Sequence, residues 1–169
     1  MKKGQNVKIG QFNIIHESVE IGNNVEIGNF NIIEEGVKLA DNVVIGNNCE
    51  IGKNVVVEDN SILQGKIRTG NTCLIRKNAT LKYGVILTSN VLIEEHAFLG
   101  PNVITLGSTH ERITIHGTCV GKNTYVGANS TIAPNTKIGS DLVIGANSFV
   151  NKELTEPGIY VGTPIRKIK

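Results

Sequence analysis

Tryptophan is absent from this 169-residue chain, methionine occurs once, and aromatic residues make up only 4% of it. So few bulky rings are unusual for a helical bundle or a sandwich, whose thick cores need large side chains. No apolar run is long enough to span a bilayer, and Met1-Lys2-Lys3-Gly4-Gln5-Asn6 has no apolar signal segment. A membrane or secreted protein is therefore not expected, and the cytoplasm is the compartment that fits. Charge imbalance is also missing. Seventeen Lys and Arg against fifteen Asp and Glu leave a formal charge of +2. No basic stripe interleaved with aromatics points to nucleic acid. The three cysteines, Cys49, Cys73 and Cys119, form no C-x-x-C pair of a zinc or redox site. Cys49 and Cys73 fall where a small buried residue is wanted, so they read as core thiols.

Glycine, asparagine, isoleucine and valine fill the space left by these absences, and they recur with a period. From Val7 the chain divides into six-residue units, VKIGQF, NIIHES, VEIGNN, VEIGNF and onward to VITLGS at 103–108. Nine residues, Thr109 to Gly117, interrupt the series, which resumes as TCVGKN and runs to SFVNKE at 148–153. The third place is aliphatic throughout except at Thr69 and Thr105. The first place is mostly small or β-branched, the fourth often Gly, and the sixth often Asn.

A strict six-residue aliphatic period cannot keep one face of a 3.6-residue helix, so the units read as strands. Alternate side chains of a strand share a face, which turns the first and third places inward and the second outward. Gly and Asn suit corners because they tolerate positive φ at least cost. Three strands and three corners then close a triangular coil of eighteen residues. The expected fold is all-β, a parallel β-helix of about seven to eight coils stacked at about 4.8 Å. It spans residues 1–153, with the loop 109–117 inserted and a tail at 154–169. Outward apolar residues at spacings of eighteen, such as Ile14, Ile32, Ile86 and Ile104, form a ladder on one side. Val44, Ile62 and Phe98 form another. Such ladders favour a buried contact over solvent.

The pattern aliphatic-Gly-x-x-small-x over residues 7–153 resembles the hexapeptide-repeat acyltransferase family, and that resemblance implies left-handed coils. Ile104-Thr-Leu-Gly-Ser-Thr-His-Glu-Arg112, with the repeats after it, is similar to the active-site region of family members that acetylate sugars or xenobiotics. A Thr-His pair in their loop supplies the catalytic imidazole, which assigns His110 as the candidate general base. An imidazole titrating near neutrality is chemically suited to accept the proton an attacking nucleophile sheds. His116 closes the same loop and reads as structural, while His16 and His96 occupy corners. The ending Val161-Gly-Thr-Pro-Ile-Arg-Lys-Ile-Lys169 resembles the V-G-x-P-A-R-x-I segment that borders the coenzyme A channel in relatives. Arg166, Lys167 and Lys169 are thereby candidates for the nucleotide phosphates of acetyl-CoA. Gly127-Ala128 and Gly145-Ala146 occupy corresponding corners one coil apart. Their small size would let a pantetheine arm lie against backbone, and a main-chain N–H there could steady an oxyanion.

The resemblance further implies a homotrimer with sites between subunits. A chain that starts its β-helix at once looks most like nucleotide-sugar N-acetyltransferases of surface-polysaccharide synthesis. Some of those carry Asn-Pro-Arg where this chain has His-Glu-Arg. The expected acceptor is an amino sugar, nucleotide-linked. Its candidate contacts are Arg76, Asn78, Tyr83 and His96 on the coils with Glu111 and Arg112 on the loop. Sugar O-acetylation at the same His110 is the alternative. A γ-type carbonic anhydrase would need zinc-binding histidines on regular coils, an H-x-x-x-x-H that is missing, and no metal site is expected. A non-catalytic scaffold is a further class. An ice-binding prism would need flat Thr-x-Thr ladders, and Thr is only scattered.

Overall fold

A computed structural model describes residues 1–115 and 117–169; His116 lies outside the described residues. Every element among them is a strand, most of only two residues, and no helix long and apolar enough to cross a membrane occurs. Three sheets run the length of the molecule. The first face stacks Lys2–Lys3, Glu20–Ile21 and their successors up to Lys137–Ile138. The second runs from Lys8–Ile9 to Gly158–Val161 and ends on Arg166–Lys167. The third runs from Ile14–Ile15 to Phe149–Val150. Pairing is parallel at a spacing of eighteen residues, as in Ile62 against Thr80. Across the insertion the spacing grows to twenty-seven, as in Leu92 against Cys119, so the nine extra residues leave the register intact.

About nine turns result, rather than the seven to eight expected. Two segments outside the clear repeats account for the difference. Lys2–Lys3 already pairs with Glu20–Ile21. At the other end Leu154 bridges to Ile138 and Gly158–Val161 pairs with the strand Leu142–Ile144. The tail thus continues the winding, and an antiparallel partner, Arg166–Lys167, covers its last edge. Tyr160 and Ile165 are buried there, closing that end of the core.

The core is one continuous column. Third-place residues such as Ile45, Leu63, Leu81 and Leu99 are fully buried, and so are first-place Val25, Val43, Ala79 and Ala97. The two polar third places keep their hydroxyls satisfied. Thr69 Oγ1 accepts from Gly52 N–H at 3.0 Å, and Thr105 Oγ1 accepts from Thr88 N–H at 2.8 Å.

Corner chemistry divides between Gly and Asn more sharply than expected. Positive φ belongs to the sixth place, where Asn24, Asn42, Asn60 and their equivalents sit near +55 to +60°. Their amides also form a ladder, each Nδ2 donating to the next Oδ1 at 3.1–3.2 Å. Fourth-place glycine answers a different need. A Cβ on Gly127 would stand 2.4 Å from the Ala146 backbone nitrogen, and one on Gly22 would stand 2.7 Å from the Ala40 carbonyl carbon. Adjacent turns press backbone on backbone at that place, and only a hydrogen fits without adjustment.

Candidate functional site

The insertion folds as a small hairpin on the corner between the third and first faces. Ser108 and Thr114 form an antiparallel bridge, Ile115 N–H donates to the Gly107 carbonyl at 2.9 Å, and Thr109 N–H donates to that of Ile113 at 2.9 Å. Arg112 takes positive φ (64°) at the tip. This closed backbone holds the side chains of His110 and Glu111 off the prism, 91% and 64% exposed. His110 Nε2 stands 4.0 Å from Glu111 Oε1, beyond hydrogen-bonding range but close enough for charge attraction. Within one chain no other titratable group meets this imidazole.

The remaining candidates lie at other corners. Arg76, Asn78 and His96 occupy the corner between the first and second faces, where Asn78 Nδ2 donates to His96 Nε2 at 3.4 Å. Arg76 Nη1 reaches Glu58 Oε1 at 2.8 Å. The neighbouring carboxylate of Glu95 is held between Lys122 Nζ at 3.2 Å and Lys77 Nζ at 3.4 Å. Its pKa is lowered from the usual carboxylate value, chiefly by the Lys122 hydrogen bond and then by Lys77. Tyr83 belongs to the corner between the second and third faces. Its ring is 3.3 Å from where a Cβ on Gly65 would stand, and Lys66 Nζ sits over it at 5.5 Å.

Gly127-Ala128 and Gly145-Ala146 share the corner of Tyr83, one directly over the other. The tail joins them, since Val161 packs against the position a Gly145 Cβ would take. Of the three cationic tail residues, Lys167 is ion-paired with Glu156 at 3.1 Å and lies over the Tyr160 ring. Arg166 and Lys169 are exposed. One chain therefore gathers the proposed coenzyme residues at one corner, most acceptor residues at a second, and His110 with Glu111 and Arg112 at the third.

Sequence reasoning missed an open groove of about 670 Å3 on the first face, beside the point where the hairpin rejoins the coil. Gly117, Leu92, Glu94, Cys119, Lys122 and Lys137 line it. Cys119 occupies an outward second place and is half-buried, unlike Cys49 and Cys73. Burial, and then Glu94, push its thiol pKa upward, so it is no ready nucleophile. The outward position was readable from the repeat; the groove was not, because only stacking places Leu92, Cys119 and Lys137 side by side.

Residues 32–65 and 117–152 match the family described as bacterial transferase hexapeptide (six repeats). No curated protein sequence matches the chain. Among solved structures, the acetyltransferase domain of PglB from Neisseria gonorrhoeae, in complex with acetyl coenzyme A, superposes with a TM-score of 0.60 at 13% identity. The match covers 68% of this chain and 51% of that one, so this chain spans about half of that structure. UDP-N-acetylglucosamine acyltransferase from Campylobacter jejuni gives a TM-score of 0.58 at 16% identity, covering 93% and 72%. LpxA from Acinetobacter baumannii gives 0.52 at 23% identity, covering 96% and 72%. The fold is shared with all three. With its repeats and three-sided solenoid, the chain belongs to the hexapeptide-repeat transferase family, a family of acyltransferases.

Proposed function

We propose that this chain is an acetyl-CoA-dependent acetyltransferase that acts in the cytoplasm, as a homotrimer, on an amino sugar carried by a nucleotide. The observation behind the reading is the hairpin itself: one break in an otherwise regular column, rigidly closed, holding an imidazole clear of its own chain. A base so exposed works only when something else covers it, which accords with a site completed by a neighbouring subunit. In the reaction the acceptor nitrogen attacks the thioester carbonyl carbon, forming C–N, and the C–S bond breaks as the oxyanion collapses. His110 takes the proton that the attacking amine loses, and the leaving thiolate is protonated to free CoA. Backbone N–H groups at the Gly127-Ala128 and Gly145-Ala146 corners are the candidate oxyanion donors, and Arg166 and Lys169 the candidate phosphate partners. Arg76, Asn78, Tyr83 and His96, with Glu111 and Arg112, are the candidate acceptor contacts. Low identity to the acetyl-CoA-bound relative supports the cosubstrate only by shared fold.

The test is a panel of amino-sugar nucleotides with acetyl-CoA, followed by free-thiol release for wild type and His110→Ala. A fall of about a hundredfold or more in kcat is expected if the imidazole is the base. Turnover near wild type in the variant removes His110 from that role. Turnover of the hydroxyl analogues in place of the amines assigns O-acetylation instead.

A further inference from the structure

Exposed apolar surface is unevenly distributed over the three faces. Among the described residues twelve large apolar side chains remain exposed. Eight of them lie on the second face, the third face or the corner between these two: Phe12, Ile14, Phe30, Ile32, Ile62, Tyr83, Tyr125 and Val143. None lies on the first face; the others belong to the amino terminus, the hairpin and the tail. Two aromatic stacks reinforce the pattern, Phe12 on Phe30 at 4.9 Å and Phe98 on Tyr125 at 5.1 Å.

Charge is distributed in the opposite sense. Over eight turns the corner between the second and third faces carries only Lys66 and Lys82 and no acid, and in the upper turns it narrows to Gly100-Pro101, Gly127-Ala128 and Gly145-Ala146. The corner between the first and second faces holds nine charged residues over the same turns, among them Glu58, Arg76, Glu95 and Lys122. On the upper four turns the outward places of the second face are Thr80, Phe98, Tyr125 and Val143, and those of the third are Ile86, Ile104, Thr131 and Phe149. None is charged. A slim, uncharged corner between two uncharged faces is the shape that a closed ring of identical prisms buries, since rotation without translation sets residues of equal height against one another.

We infer that three copies meet with the corner between the second and third faces on a threefold axis, and that the hairpin of each faces the Arg76–Asn78–His96 corner of its neighbour. This rests on the homotrimer of the proposed function and adds which edge is central and which partner residues complete the site. Three prisms joined at one corner do not fill the circle. They leave three clefts opening outward, each walled by the third face of one subunit and the second face of the next. The hairpin stands at the outer end of one wall, and the corner bearing Asn78, His96 and Lys122 at the outer end of the other. Gly127-Ala128 and Gly145-Ala146 lie at the base of the same cleft. Candidates dispersed over three corners of one chain thereby converge on one cleft between two. The exposed Leu106 and Ile113 of the hairpin gain a covering surface in the same step.

The experiment uses the full chain with Cys119→Ser, Glu111→Cys and Lys122→Cys, treated with a short bis-maleimide; Cys49 and Cys73 are buried and spared. Light scattering first establishes the mass. Denaturing gels of the double-cysteine protein are then expected to show covalent dimers and trimers, whereas either single cysteine stays monomeric. A trimer in solution that yields only monomer bands overturns the edge assignment while leaving the trimer standing. A monomer in solution overturns both. As a second measurement, Phe98→Asp is expected to dissociate the assembly and Leu92→Asp, at the same height on the first face, to leave it intact. The reverse result places the first face inside and refutes the arrangement.

Discussion

Asn31 sits fully buried at an inward first place, with Asn13 one turn before it and Cys49 one turn after. Its backbone N–H donates to Asn13 Oδ1, and its own Oδ1 accepts from Cys49 N–H, both at 2.8 Å. Asn13 Nδ2 finds the carbonyls of Gly10 and Gly28, but Asn31 Nδ2 finds no partner. A buried donor left unpaired costs roughly 1–3 kcal/mol. Near the other end of the column, Ser130 Oγ accepts from Ser148 N–H at 3.3 Å and donates to the Gly145 carbonyl at 3.1 Å, leaving nothing orphaned. Asn31→Ser is therefore expected to stabilise the chain by about 1 kcal/mol, raising Tm by about 2–4 °C in a thermal melt. A lower Tm would show that volume outweighs the amide. That Asn31 is inward was legible in the six-residue count; that one of its donors lacks a partner depends on carbonyl positions only the stacked turns define.

Among the elements, hairpin and coil are independent. The ladder resumes across the insertion with Phe98 opposite Tyr125 and Ile104 opposite Thr131, as though nothing intervened. Deleting Thr109 to Gly117, the nine residues that break the repeat, should therefore keep the solenoid. The expected result is β-type circular dichroism and a Tm within a few degrees of wild type, with acetyl transfer abolished. Collapse of the fold would mean that the hairpin holds the adjoining turns together. The insertion was plain in the sequence because it alone breaks the count. Its inner form was not, since a bridge between Ser108 and Thr114 reflects a local closure with no periodic signature. The tail shows the same limit: its strands pair with coil backbone without hexapeptide spacing, so its role as the last turn was hidden.

For the whole molecule, charge lies outside and thiols inside, and this shapes its response to pH. Ion pairs connect successive turns, as in Lys8–Glu26, Glu50–Arg68 and Glu95–Lys122. All are solvent-accessible, and each is worth little alone. Asp41 and Glu95 have carboxyl pKa values held below their usual ones, Asp41 chiefly by the backbone N–H of Asn23 and Glu95 chiefly by Lys122. Their folded pKa values lie below the unfolded ones. The stability they supply is thus present above about pH 4 and lost as pH falls through the depressed values. At the other extreme burial pushes Cys73 up to about 11 from 9.0. Its contribution is complete below pH 9 and disappears as pH rises from there through 11. Denaturant unfolding is expected to give a plateau between about pH 5 and 9 with a decline on each side. Cys73→Ala should flatten the alkaline decline relative to wild type; equal slopes would show that the thiol plays no part.

The sequence alone determined the strands, the inward and outward sides, the corners and the single interruption. Each follows from a local rule, the alternation of a strand or the φ of a corner, that repeats every six residues. The three-sheet stack decided what no local rule contains: about nine turns instead of seven to eight, the reason for fourth-place glycine, the groove beside Cys119, and the dispersal of the candidate site over three corners. Those features arise between residues eighteen or more apart, where one turn presses on the next. Pairwise distance across turns, unlike periodicity along the chain, is fixed only when the column is built.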